Sequence, residues 1–411
     1  MVPRYLSWRL SMMFALTQMA EGAVMVLLAG HMNELGFTGR QISYVFATGA
    51  LAALVSPLLA GWLADRYWSG QRLLAGCQLA GAPLLLIAWL QTGFPGFWAA
   101  MATFALIRLP VMSLTNVVAF YHLGRSERFG YVRVWGTVGW IAVSWGLSLY
   151  LRLWENEAAR LGDGLLAAAV LFVLSGLYAL SLPHTPPGAA TGTSQTGRQP
   201  FAFLAAFRLL RRRNFAIIMG IALISSVANP FYYNFGFLFL TDTRELGLSP
   251  SVANWALSLG QVVEIIVLLF LASSLRRLGL KRILMVGMAA QAMRFAAFAL
   301  GAPPALVIGS IGAHGFIFTF LFIGLVIAVE ELSPYEYRAS AQGLLTLARS
   351  GIGALLGQAL AGRVYDACAY PAGGRNWSLL FAIPTALTLL ALALFAMLFR
   401  DERQKDAGSA S

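Results

Sequence analysis

Apolar runs about as long as a membrane is thick recur twelve times along the chain. They fall at roughly 7–30, 41–63, 72–91, 96–121, 132–152, 162–182, 214–241, 251–275, 281–300, 304–329, 339–362 and 378–399. A helix of about 20 residues crosses a ~30 Å hydrocarbon core with its backbone groups bonded internally. The runs are continuous rather than alternating, which argues against a barrel. Only 11% of the 411 residues are charged and 59% are hydrophobic, against about 25% charged in a soluble protein. The expected fold class is an all-α membrane protein with twelve transmembrane helices in two six-helix bundles.

The formal net charge of +12 does not point to nucleic acid. The Arg and Lys residues cluster at the ends of apolar runs, and mostly on one side. Arg66, Arg72, Arg125, Arg128, Arg211, Arg212, Arg213, Arg276, Arg277, Lys281, Arg282 and Arg338 fall in alternate loops. The positive-inside rule makes that side cytoplasmic and puts both termini there, as expected of a multi-pass protein of the cell (inner) membrane. No cleavable leader is expected, because the first run lacks a small-residue cleavage site and a second span follows at once. Cys77 and Cys368 imply neither a disulfide framework nor a CxxC site.

The polar stretch PHTPPGAATGTSQTGRQP reads as a flexible linker, and FRLLRRRN after it as a basic amphipathic surface segment. The expected organisation is a six-helix bundle over 1–183, a cytoplasmic linker over 184–213, a second bundle over 214–400 and a tail over 401–411. A 6+6 arrangement of this kind suggests a substrate site at mid-depth between the bundles.

Glu264 lies inside SLGQVVEIIVLLFLASS, with Gln261 one helical turn before it on the same face. A charge at mid-bilayer costs roughly 2.5–3.5 kcal/mol on insertion scales. A lone carboxylate avoids that cost by holding a proton. If its access to water alternates sides, the proton is loaded outside and released inside. The bland reading is a polar anchor bonded to a neighbouring helix. Glu21 and Arg108 are a second mid-span acid and a mid-span cation, and intramembrane charges usually pair. Such a pair either locks two helices or forms a second proton site or a different substrate contact. Arg294 reads as a helix-packing residue, and Arg349 as one that snorkels toward the cytoplasm. His314 is either a donor to ligand or a satisfied interior residue. Trp140, Phe318, Tyr232 and Tyr233 could stack on a flat base or simply pack.

GWLADRYWSGQR resembles the loop signature of the major facilitator superfamily, carried by Gly61, Asp65, Arg66 and Arg72. SLRRLGLKR is similar to its second-half copy. RVWGTVGWI, LPVMSLTN, GQVVE, MRFAAFALG, HGFIFTF and SPYEYRASAQG resemble the nucleoside–proton symporter family, and they span nearly the whole chain. The resemblance implies that Arg133, Thr137 and Trp140 contact substrate from the first half. It implies that Gln261, His314 and Phe318 do so from the second, with Asn229 or Asn234 of span seven, and that Glu264 takes part in proton coupling. His314 stands where the family more often has Tyr. Glu21 and Arg108 stand where relatives carry aromatic residues.

Together these imply a secondary active transporter that imports nucleosides with protons by alternating access, the alternative being proton symport of a sugar, glycoside or small aromatic acid. HExxH, GxSxG and Walker sequences are absent, so neither enzyme chemistry nor ATP drive is expected. The expected partners are nucleoside, proton and bilayer, with no cofactor, no metal and no nucleic acid, and the expected state is a monomer.

Overall fold

The structure, a computed structural model, describes residues 4–66, 68–123, 128–187 and 207–399; within these, the side chains of residues 54–66, 109, 128 and 339 lie outside the description. The apolar runs fold as α1 (Arg4–Glu34), α2 (Gly39–Arg66), α3 (Gly70–Leu90), α4 (Phe94–Leu123), α5 (Arg128–Leu151), α6 (Asp163–Ser181) and α7 (Arg213–Thr241). The next run, Pro250–Leu300, has 51 residues. As one straight rod it would measure about 77 Å at ~1.5 Å per residue, more than twice the hydrocarbon thickness. It breaks at Gly279, whose φ of 77° and ψ of 165° are comfortable only without a Cβ. The run is therefore two helices, α8 (250–278) and α9 (280–300). Three more follow: α10 (Pro304–Leu332), α11 (338–367) and α12 (Trp377–Leu398).

Among the described residues, ten stretches are long and apolar enough to cross a membrane. Counting the Pro250–Leu300 run twice and adding the 28-residue α2 gives twelve helices. Their outer faces keep apolar side chains exposed, Leu269 at 73% and Phe270 at 59% among them, as lipid-facing helices must. α4 runs through Pro110 without ending.

The chain divides into two compact units. The first holds Met1–Gly197 with Tyr233–Ser258 and Ala361–Asp366. Its core joins Leu10 and Phe14 of α1 to Leu74 of α3, Val111 and Leu114 of α4, and Val132 of α5. Two carboxylates close helix N-termini there, where backbone N–H groups lack partners. Asp366 accepts from the N–H groups of Gly39 at 2.6 Å and Arg40 at 3.1 Å. Glu157 accepts from the N–H of Ser251 at 2.7 Å. The Asn254 amide donates to the Ser144 carbonyl at 2.8 Å, so the first turns of α8 are bonded to α5 within this unit.

The second unit holds Arg198–Tyr232, Leu259–Leu360 and Ala367–Ser411. Its core joins Phe215 and Ile218 of α7, Leu284 and Met288 of α9, Leu321 and Leu325 of α10, and Phe395 of α12. Phe207–Arg211 forms a short 3₁₀ turn before α7, with Leu209 buried and both arginines exposed. α10 and α11 each carry one π-helical turn, at Ile317–Ile323 and Leu347–Gly353. Such turns add a residue per turn and re-aim the side chains beside them, often at functional sites.

Candidate functional site

The second unit assembles polar groups from five helices. α8 supplies Glu264, whose side chain is 12% exposed, and α10 supplies His314, whose side chain is 8% exposed. Glu264 Oε2 lies 3.5 Å from His314 Nε2. The two helices approach this closely because glycines face the contact. A Cβ on Gly315 would stand 2.6 Å from the backbone nitrogen of Glu264, and one on Gly260 would stand 2.8 Å from the Cβ of His314. Gln261, half-buried, precedes Glu264 by one turn. Phe318 follows His314 by one turn, with ring centroids 6.3 Å apart and planes at 29°. The π turn of α10 begins three residues after His314.

α9 contributes two groups that sequence reasoning did not place at the site. Arg294 is 1% exposed. Its Nη1 lies 3.5 Å from His314 Nδ1, and its guanidinium carbon stands 3.8 Å from the centre of the Tyr232 ring on α7. The amide nitrogen of Gln291 donates to Asn229 Oδ1 at 3.1 Å and to the Ser225 carbonyl at 3.2 Å. Asn229 is half-buried beside this group. Arg349, in the π turn of α11, has its guanidinium carbon 5.3 Å from the centre of the Phe322 ring. The sequence signals for Arg294 were a cation inside an apolar run and its place in the family-like MRFAAFALG segment; neither names its partners.

In the first unit, Glu21 of α1 and Arg108 of α4 form an ion pair. Glu21 is buried, and the Arg108 guanidinium lies 5.9 Å from the Phe104 ring centre. Arg133, Thr137 and Trp140 share one face of α5 by their spacing. Arg133 is exposed, and the other two are half-buried. The Trp140 ring packs over Gly22, next in sequence to Glu21, where an added Cβ would lie 3.2 Å from the indole. Asn234 is fully buried in this unit and donates to Ser43 Oγ at 3.2 Å, tying α7 to α2. Arg72 is exposed in the first turn of α3. The side chains of Gly61, Asp65 and Arg66 lie outside the described residues, as do 188–206 of the linker and the tail over 401–411.

Chemically, the second unit offers a carboxylate that can hold or release one proton, next to an imidazole, an amide and an aromatic ring. The first offers an exposed cation, a hydroxyl and an indole on one helix face. Both sets suit a flat ligand that carries hydroxyls and hydrogen-bond acceptors.

The profile of a family described as Nucleoside H+ symporter matches residues 5–404. The protein YegT of Escherichia coli (strain K12) is 32% identical over 405 residues, 96% of this chain and 93% of its own. The xanthosine permease of the same organism is 29% identical over 411 residues, 96% of each chain. A crystal structure of the nucleoside transporter NupG is similar with a TM-score of 0.82 at 25% identity, covering 97% of this chain and 100% of its own.

Proposed function

The chain belongs to the Nucleoside H+ symporter family of the major facilitator superfamily, and from that premise we propose that it imports nucleosides together with protons by alternating access. It is a multi-pass membrane transporter and not an enzyme. Glu264 is the proton-holding group. Gln261, His314, Phe318 and Asn229 contact substrate from the second unit, and Arg133, Thr137 and Trp140 from the first. Asn234 is better read as a helix tie, since its amide already bonds Ser43 inside a sealed interior. Both termini lie in the cytoplasm, a reading that the basic loops of the sequence support.

The observation that carries this reading is Glu264 itself: a carboxylate in the middle of an apolar helix, 12% exposed and 3.5 Å from His314. With a proton the group is neutral and tolerates a dry surrounding; without one it needs water or a donor. Coupling follows if substrate and proton are admitted on one face and released on the other. A membrane potential supplies about 2.3 kcal/mol per charge per 100 mV. At ~1.36 kcal/mol per decade, one proton supports roughly fiftyfold accumulation before any pH gradient.

The test uses the purified protein in proteoliposomes, with external pH recorded as nucleosides and sugars are added in turn. Nucleoside addition is expected to alkalinise the medium. Glu264→Gln is expected to lose uphill uptake and proton movement while nucleoside exchange stays measurable. Normal accumulation by that variant would remove Glu264 as the coupling group, and alkalinisation by sugars alone would remove the nucleoside.

A further inference from the structure

Arg294, His314 and Glu264 stand in a row. Nη1 of Arg294 is 3.5 Å from His314 Nδ1, and His314 Nε2 is 3.5 Å from Glu264 Oε2. A guanidinium has five donors and no acceptor, and it stays charged at every accessible pH. The ring nitrogen that faces it can therefore only accept. A neutral imidazole that accepts at one nitrogen carries its proton on the other. That other nitrogen faces a carboxylate, which accepts when ionised. Donation thus runs one way along the row. An imidazolium would break this order, because it would turn an N–H and a second positive charge toward a guanidinium that is 1% exposed.

We propose that Arg294 is a positioning residue that holds His314 as the neutral Nε2–H tautomer, so that His314 donates to Glu264 and does not itself take up the transported proton. This rests on the reading of Glu264 as the proton-holding group. The groups facing the imidazole include Glu264 from α8 and Arg294 from α9. Tyr232 of α7 lies under the guanidinium, 3.8 Å from it, and keeps that charge over an aromatic face while it serves the ring. The second unit then has one titrating group in this row rather than two. His314 favours the ionised carboxylate once the proton has left, and so makes release from a dry position easier.

The chain has four histidines, few enough for nitrogen-15 histidine labelling of the full-length protein in nanodiscs, with His314→Gln assigning its signal. Between about pH 5 and pH 8, wild-type His314 is expected to keep Nδ1 bare and Nε2 protonated. An unconstrained imidazole would be half-protonated near pH 6.5. Arg294→Met is expected to release the tautomer, so that the proton is shared between Nδ1 and Nε2 of His314. The variant's rate of proton-coupled uptake should fall roughly tenfold, while nucleoside exchange persists. His314→Leu should lose coupled accumulation, and His314→Gln should recover part of it, since an amide also accepts at one atom and donates at the other.

A wild-type His314 that becomes doubly protonated in this range, or carries its proton on Nδ1, overturns the proposal. So does a His314→Gln variant no better than His314→Leu. If Arg294→Met does not fold, the wild-type spectra and the two His314 variants still decide. Failure of Glu264 as the coupling group shows separately, as normal accumulation by Glu264→Gln with the His314 tautomer unchanged.

Discussion

Glu157 accepts two hydrogen bonds from one residue, Ser251: from its backbone N–H at 2.7 Å and from its hydroxyl at 2.9 Å. Ser251 is the second residue of α8, after Pro250. Proline suits the first helical position because it has no N–H to leave unpaired, but the N–H behind it does need a partner. An acidic side chain meets that need and also complements the positive end of the helix dipole.

Removing the carboxylate strands the Ser251 N–H, while the Ser251 hydroxyl keeps Ser249 Oγ at 3.1 Å. Glu157→Ala is expected to destabilise the first unit by about 1–3 kcal/mol, the usual result of leaving a partly buried polar group unpaired. Glu157→Gln keeps one acceptor oxygen and should lose roughly half as much. Thermal unfolding in detergent checks this: the midpoint should fall by a few degrees for Ala and less for Gln. Equal midpoints in all three proteins would show that the two bonds add nothing.

The second prediction concerns Gly315. An added Cβ would stand 2.6 Å from the nitrogen of Glu264 and 2.6 Å from the carbonyl carbon of Val263. Both are backbone atoms, so no side chain can swing away, and α8 must shift from α10. Overpacking of this kind costs about 1–3 kcal/mol, and here it also separates Glu264 from His314. Gly315→Ala is expected to cut proton-coupled uptake by roughly tenfold. Gly309→Ala, where nothing lies within 4 Å of the new carbon, serves as the neighbour that should behave as wild type. Uptake assays on matched protein amounts compare them.

Much of this architecture is readable from residues because a membrane leaves few choices. Runs of apolar residues must be helices, and a carboxylate such as Glu264 stands out against them. Gly279 announces a break only once length is considered, since 51 residues cannot cross once. Partners across helices are another matter. His314 and Arg294 were both visible as polar residues in apolar runs, yet their contact depends on the packing of α9 against α10. The π turn Ile317–Ile323 has no sequence signal, because IFTFLFI reads as an ordinary apolar helix. Asn376 is a further contact that the sequence does not announce. Its side chain accepts from the N–H of Leu379 at 2.9 Å, the bond of an N-cap at the start of α12.

The two asparagines of α7 should separate by function. Asn229 is half-buried beside Gln291, and Asn234 is fully buried against Ser43. Asn229→Ala is expected to raise the nucleoside KM several-fold, about 1 kcal/mol for one hydrogen bond, with little change in thermal midpoint. Asn234→Ala should do the reverse, lowering the midpoint and leaving KM near wild type. Uptake kinetics and unfolding curves on the same preparations read both quantities. A raised KM in Asn234→Ala alone would move the ligand contact to that residue.

The last prediction turns on Glu21 and Arg108. Each neutralises the other in a place where a single charge is costly. Glu21→Gln leaves the Arg108 cation, which cannot shed its charge, without its counter-ion, and is expected to destabilise the first unit by roughly 3–5 kcal/mol and to lower the yield of folded protein. Arg108→Met should cost less, because the Glu21 carboxyl can take up a proton. Combining the two removes both charges at once, so the double variant should fold better than either single one. If the pair only locks α1 to α4, that double variant also keeps the wild-type ratio of protons to nucleosides, measured from alkalinisation against labelled uptake. A ratio that falls by one proton would instead make Glu21 a second site of proton transfer, with Arg108 as the group that displaces its proton.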